Sequence, residues 1–275
     1  MGKLVWIASY PKSGNTWMRA FLHNYIRRPD APYDINSLTD LTASDVNAER
    51  FQRYDPRPPS QYTVADVQRM RPLVHRDLMA LDSTLVFVKT HNARLVIEGA
   101  PLITPEVTAG AIYIVRDPRD VAVSYSRHRG RSIDDTIAFM AAPDAATGGS
   151  DSRIHERLSS WSVHVMSWTA RPEPRVRVVR YETLLEAPET TFGSQIRWLG
   201  DDPLPERLSR AVQFSRFEEL RAQEQAKGFK ERVAESTAPF FGKGQAGTWR
   251  TVLTPAQQAR IEHDHGPMMR RFGYL

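Results

Sequence analysis

The segment that most restricts the fold is LVWIASY (4–10), a short apolar run rich in β-formers that passes straight into the turn residues Pro11, Lys12, Ser13 and Gly14. From Asn15 to about Arg28 the apolar residues Trp17, Met18, Phe21, Leu22, Tyr25 and Ile26 follow helical spacing, with Asn15 or Ser13 available to cap and Pro29 to stop the run. The unit reads as strand, tight turn, helix. TLVFVKTH (84–91), AIYIVRD (111–117) and RVRVVRY (175–181) are further strand candidates. Helical patterns are expected near 63–80, 118–129, 132–142, 154–170, 188–199, 205–213, 215–226 and 254–272. Strands that alternate with helices predict an α/β fold: one domain over 1–275, with a central parallel sheet flanked by helices and a P-loop-like phosphate-binding turn after the first strand.

Composition narrows the function classes. The 275 residues are 41% hydrophobic and 25% charged, ordinary globular material for one large domain. No run of about 18 apolar residues occurs, so no membrane partner is expected. The apolar start gives way at once to polar residues instead of a signal-peptide core, which predicts a cytoplasmic location. Cysteine is absent, and that excludes disulfides, thiolate metal sites and a cysteine nucleophile. A formal net charge of +5 favours a polyanionic partner. The basic residues are nevertheless spread along the chain, with only short clusters such as Arg127, Arg129 and Arg131, and no RNA-binding signature or zinc finger accompanies them. Nucleic acid is therefore not expected as a partner.

The turn SYPKSGNTW (9–17) places a glycine and several amides between a strand end and a helix N-terminus, where open α/β sheets bind anions. Taken alone it fits an ordinary strand-to-helix connection as well as a phosphate cradle. It is not a Walker A sequence, because Lys12 precedes Gly14, whereas GxxxxGK[ST] needs a second glycine followed by lysine.

YPKSGNTW closely resembles the YPKSGTTW signature of the cytosolic sulfotransferase family, with Asn15 in place of the first threonine. Five further segments resemble the family's motifs in order. They are VKTH (88–91), YIVRDPRDVAVSYSRH (113–128), RYETLLEAP (180–188), SRFEEL (215–220) and GKGQAGTWR (242–250). The resemblance runs from residue 6 to about residue 250. It implies a sulfotransferase that moves the sulfuryl group of PAPS (3′-phosphoadenosine 5′-phosphosulfate) to a hydroxyl of a small-molecule or natural-product acceptor, leaving PAP.

Residue by residue, the resemblance assigns Lys12, Ser13, Gly14, Asn15 and Thr16 to the 5′-phosphosulfate, and Arg116, Ser124, Lys243 and Gly244 to the 3′-phosphate. Trp17, Tyr181 and Phe217 become the adenine-facing aromatics. His91 becomes the general base, for which its ordinary pKa near 6.5 leaves it mostly neutral at pH 7. Lys12 would stabilise the bridging oxygen as the S–O bond breaks, and Lys89 would lie near the transferring group. No metal is implied, since no ligand pattern accompanies the turn and lysine and arginine can neutralise the donor phosphates.

The chain also departs from the family pattern. The arginine expected before Lys243 is Gly242, and the aspartate expected before Trp249 is Thr248. The family's dimerisation element KxxxTVxxxE would begin at Arg250 but meets Pro255 and Ala259 where valine and glutamate are expected, so that dimer mode is not carried over, while a homodimer of another kind is left open. Two other readings also stay open: a P-loop kinase-like phosphotransferase, which would need Mg²⁺ and a strand-end aspartate, and a nucleotide-binding protein without catalysis, which need not keep His91. The segments expected to cover the acceptor, 29–80 and 225–241, carry no readable chemistry.

Overall fold

The computed structural model describes residues 3–82, 84–232, 238–242 and 244–275. In chain order the elements are β1 (Leu4–Ser9), α1 (Asn15–Arg27), β2 (Thr42–Ser44), α2 (Ala48–Gln52), α3 (Val64–Met79), β3 (Val86–Thr90), β4 (Val96–Ile97), β5 (Ala100–Pro101) and β6 (Thr108–Val115). They continue as α4 (Pro118–Arg129), α5 (Ile133–Ala141), α6 (Trp161–Thr169), β7 (Val176–Arg180), α7 (Tyr181–Glu186), α8 (Pro188–Trp198), α9 (Pro205–Phe214), α10 (Phe217–Lys227), α11 (Trp249–Val252) and α12 (Pro255–Arg271). The fold is α/β, with a central parallel sheet flanked by helices.

Two compact units are distinguishable. The first comprises the stretch ending at Tyr10, Leu41–Tyr113 and Ala141–Val178; the second comprises Pro11–Asp40, Ile114–Met140 and Val179–Leu275.

The sheet has the order β2-β3-β1-β6-β7, and its first three strands lie wholly in the first unit. All six residues of β1 are buried, as expected for a central parallel strand covered on both faces. β7 carries exposed side chains and closes one edge. In the parallel pairing of β1 with β3, Ile7 stands opposite Lys89 and Ala8 opposite Thr90. That register brings Ser9, the last residue of β1, beside His91, the residue that follows β3. Trp6 is fully buried, donates to Thr108 Oγ1 at 2.9 Å and meets the ring of His75 edge-on.

Within the first unit, α3 begins with a capping box in which Thr63 and Asp66 satisfy each other's backbone amides. It packs with α2 around Val46, Phe51, Val67, Met70, Val74 and Ile154. In the second unit α1 is buried along most of its length, and Phe21 stacks on Phe192 of α8 at 4.0 Å. Tyr25 then donates to Asp201 at 2.9 Å. No helix among the described residues is long and apolar enough to cross a membrane.

Several histidines sit inside these cores. Burial holds His23 and His265 down to about 4 and His164 to about 3, and it keeps His75 well below its ordinary value. The unfolded chain would titrate them near 6.5, so the stability they supply is complete above that pH. It is lost as pH falls from about 6.5 through 4, where the unfolded state takes up protons that the folded state refuses. Each histidine held at about 4 withdraws at most roughly 3 kcal/mol. Asp45, which burial pushes up to about 6, opposes part of this because the folded state accepts its proton first. The urea midpoint should therefore be clearly lower at about pH 5 than at about pH 7.5. Equal midpoints would mean that the histidines charge without opening the fold.

Candidate active site

The turn between β1 and α1 has two residues in the left-handed region, Lys12 at φ 65° and Gly14 at φ 106°. Gly14 caps α1 and leaves no side chain over its first amides. A Cβ at this position would lie 2.8 Å from Tyr181 Cδ2, so only glycine fits both the backbone angle and the space. Ser13, Asn15 and Thr16 are buried, and Trp17 packs edge-on to Tyr181 at 5.8 Å.

Arg116, the residue that follows β6, fixes this turn. Its Nη1 donates to the Lys12 carbonyl at 2.9 Å and its Nη2 to the Gln245 carbonyl at 3.1 Å, while the guanidinium lies 4.2 Å from the centre of the Tyr181 ring. Neither Asp117 nor Asp120 is its partner. Asp117 caps α4 and pairs with Arg119 at 2.8 Å. Asp120 accepts from Gly247 N at 2.6 Å and Trp249 N at 3.0 Å. Ser124 lies half-buried on α4. Glu182 braces the start of that helix by accepting from Asp117 N at 3.0 Å and the Tyr274 hydroxyl at 2.9 Å.

Gly244 presses on the face of Phe217, where a Cβ would overlap the ring. Lys243 lies outside the described residues, and a Cβ at Gly242 beside it would meet no atom of the described residues within 4 Å. The second unit therefore groups Lys12, Gly14, Trp17, Arg116, Tyr181, Phe217 and Gly244. Three polar atoms in this group and its turn, Ser13 Oγ, Trp17 Nε1 and Arg116 Nε, are buried without a hydrogen-bond partner among the described residues. Left so, each would cost about 1–3 kcal/mol. A cradle with spare donors, an open helix N-terminus and two obligatory glycines fits an anionic nucleotide.

The second group lies in the first unit around His91. Its Nδ1 is 2.8 Å from the Ser9 carbonyl. A carbonyl only accepts, so Nδ1 carries the hydrogen and Nε2 keeps its lone pair. The backbone is fixed as well: His91 N donates to Glu156 Oε1 at 3.0 Å, and His164 Nε2 donates to the His91 carbonyl at 3.1 Å. The hydroxyl of Tyr113 then serves His164 Nδ1 at 2.9 Å. Burial lowers His91 to about 4, assisted by Lys89 and Arg153 and opposed by the Glu156 carboxylate and the Ser9 carbonyl. Lys89 itself is buried on β3.

Glu156 was not legible as a site residue, since it stands in a segment predicted to be helical. Burial works against its charge, yet Arg153, His91 and Lys89 hold it down to about 2. Ser9, Asp120 and His164 were likewise missed. Ser9 opens the recognised turn and Asp120 stands inside the segment 113–128, whereas His164 carries no local signal.

Residues 3–273 match the sulfotransferase domain family. The chain belongs to that family. Sulfotransferase 1 family member D1 of Rattus norvegicus is 25% identical over 271 residues, covering 94% of this chain and 81% of that protein. Cytosolic sulfotransferase 16 of Arabidopsis thaliana is 26% identical over 277 residues, covering 93% and 73%. Among solved structures, retinol dehydratase in a complex with retinol and PAP aligns with a TM-score of 0.67 at 20% identity, covering 97% of this chain and 81% of that one. Mouse sulfotransferase SULT7A1 complexed with PAP gives 0.60 at 19%, covering 98% and 85%. Among the described residues of this sulfotransferase, no group of three or more His, Cys, Asp or Glu side chains could hold a metal ion.

Replacing Glu156 with Gln removes the charge facing Lys89 and Arg153. We expect Glu156→Gln to lower stability by about 1–3 kcal/mol in urea unfolding and to move the His91 imidazole titration further down, as followed by NMR. If both readings stay at wild-type values, the carboxylate is idle.

Proposed function

We propose that this sulfotransferase transfers the sulfuryl group of PAPS to a hydroxyl of a small-molecule acceptor by in-line displacement, with His91 as general base. The observation that carries the reading is the tautomer of His91: a proton fixed on Nδ1 leaves Nε2 open to accept the acceptor's proton. Its lowered pKa keeps the base form populated throughout the neutral range. The donor supplies a sulfur centre with a phosphate leaving group. Lys12 and the amides at the start of α1 would hold that 5′ end, with Lys12 meeting the charge that develops on the bridging oxygen as the S–O bond breaks, and Lys89 would lie near the transferring sulfuryl group.

Arg116, Ser124, Lys243 and Gly244 would hold the 3′-phosphate, and Trp17, Tyr181 and Phe217 the adenine. The PAP complexes of retinol dehydratase and of mouse SULT7A1 support this assignment of the donor. A retinol dehydratase structure with androsterone, and another with retinol, support a hydroxyl-bearing small-molecule acceptor. The segments 29–80 and 225–241 would cover that acceptor within one sulfotransferase domain. The relative named a cytosolic sulfotransferase supports placement in the cytoplasm.

A screen of hydroxyl acceptors with labelled PAPS tests the reading as a whole. With an acceptor in hand, His91→Ala should lower turnover about a hundredfold or more while PAPS affinity stays within a few fold. Unchanged turnover would remove His91 from the base role.

Arg116 has a double duty, because it holds the Lys12 carbonyl as well as the proposed phosphate. Arg116→Ala should cost about 2–4 kcal/mol of PAP binding and a smaller part of AMP binding, the latter through the loosened turn. The preference for PAP over AMP should fall by roughly 30-fold. Calorimetry with both nucleotides decides it, and an equal loss for both would leave Arg116 with the structural duty alone.

A further inference from the structure

Lys12 is gripped at both ends. Arg116 holds its carbonyl, and at the far end Nζ donates to the Phe240 carbonyl at 3.3 Å and stands 3.4 Å from the centre of the Phe240 ring. An ammonium over a ring face at that distance is a cation–π contact. No segment resemblance singled out Phe240, and its placement is itself built. Glu224 of α10, a buried carboxylate, accepts from Phe240 N at 2.6 Å and Phe241 N at 2.9 Å. The ring is flanked by Phe229 at 4.7 Å, Phe241 at 5.1 Å and His128 at 5.4 Å, with Phe229 and Phe241 rooted in a core of Ala20, Ile35, Leu38 and Leu220.

We propose that Phe240 is a positioning residue for the reaction: its ring and carbonyl, fixed by Glu224, hold the Lys12 ammonium where the donor's leaving oxygen must be met. A lysine side chain loses considerable rotamer freedom when ordered for one contact. A ring already in place at its tip removes much of that loss before the nucleotide arrives, in the way other preorganised charges lower a barrier.

This inference rests on the reading that Lys12 serves the 5′ end of PAPS, and the experiment separates the two. The first arm uses the nucleotide-free protein with ¹³C-methylated lysines. The Lys12 methyl resonance, identified by its loss in Lys12→Arg, should lie upfield through the ring current and return to the ordinary lysine position in Phe240→Leu. A Lys12 resonance that Phe240→Leu leaves in place would overturn the proposal.

The second arm replaces Phe240 with mono-, di- and trifluorinated phenylalanine, which keep the packing while draining the ring's negative face. PAPS cleavage, to an acceptor or to water, should fall stepwise by about 3–30-fold in all, with PAP affinity changed far less. A flat response, or a rate that rises because the ring had been holding Lys12 away from the donor, sinks the proposal while leaving the donor assignment intact. Undiminished cleavage by Lys12→Met would sink both.

Discussion

The turn between β1 and α1 depends on one hydrogen bond, from Arg116 to the carbonyl of Lys12. A lysine with φ near 65° occupies a region that costs non-glycine residues about 1–2 kcal/mol. A charge-assisted bond at 2.9 Å is strong enough to offset this. With the carbonyl so directed, the chain can turn at Gly14 and present the first amides of α1 uncapped. Tyr181 supports both partners, lying against Gly14 on one side and under the Arg116 guanidinium on the other. Arginine suits this position better than lysine would, because one planar group reaches two carbonyls and still stacks on a ring.

His91 is governed by a different constraint, the satisfaction of buried polar groups. Its ring, amide and carbonyl are each tied to a separate residue: Ser9, Glu156 and His164. Two of these partners are themselves fixed, His164 by Tyr113 and Glu156 by Arg153. Such a network fixes the imidazole's tautomer without a carboxylate on Nδ1, so the ring does not gain the basicity that an anion at that nitrogen would confer. In the role proposed for it, His91 would be a base of low intrinsic strength that stays unprotonated through the neutral range.

Much of the architecture was legible because it is written in local periodicity. β1, β3, β6 and β7 fall within a few residues of the apolar runs, and α4, with its proline start, matches its expected span from Pro118 to Arg129. The helix expected over 154–170 is only Trp161–Thr169. The residues before it form irregular backbone that returns to the sheet, with Ala93 N bonded to Arg157 O and Ile154 N to Val46 O. That segment's helical spacing lost to tertiary pairing. It is also where Glu156 resides, so the missed residue and the missed conformation have one cause. β2 and the hairpin of β4 and β5 are too short to leave a pattern. The motif segments were legible because the chemistry proposed for them demands fixed residue types at fixed spacing. The contacts that position those residues, such as Glu224 to the amides of Phe240 and Phe241, can come from any element with a carboxylate at the right height, and no spacing rule records them.

In the stretch from Phe240 to Trp249 such contacts work alongside the apolar anchors at its two ends, Phe241 and Trp249. Glu224 takes two adjacent amides at its start, Asp120 takes the amides of Gly247 and Trp249 at its end, and Arg116 takes the Gln245 carbonyl between them. Bonds from an ionised group to backbone amides are roughly twice as strong as neutral ones. Between its apolar ends a loop held this way can stay thin and rich in glycine, with Gly242, Gly244 and Gly247 in ten residues. Thin backbone is what allows close approach to a phosphorylated ligand. It also explains how the chain tolerates Gly242 where the family carries arginine: the loop's shape rests on carboxylates supplied by α4 and α10, so a charge can be lost from the loop without the loop itself being lost.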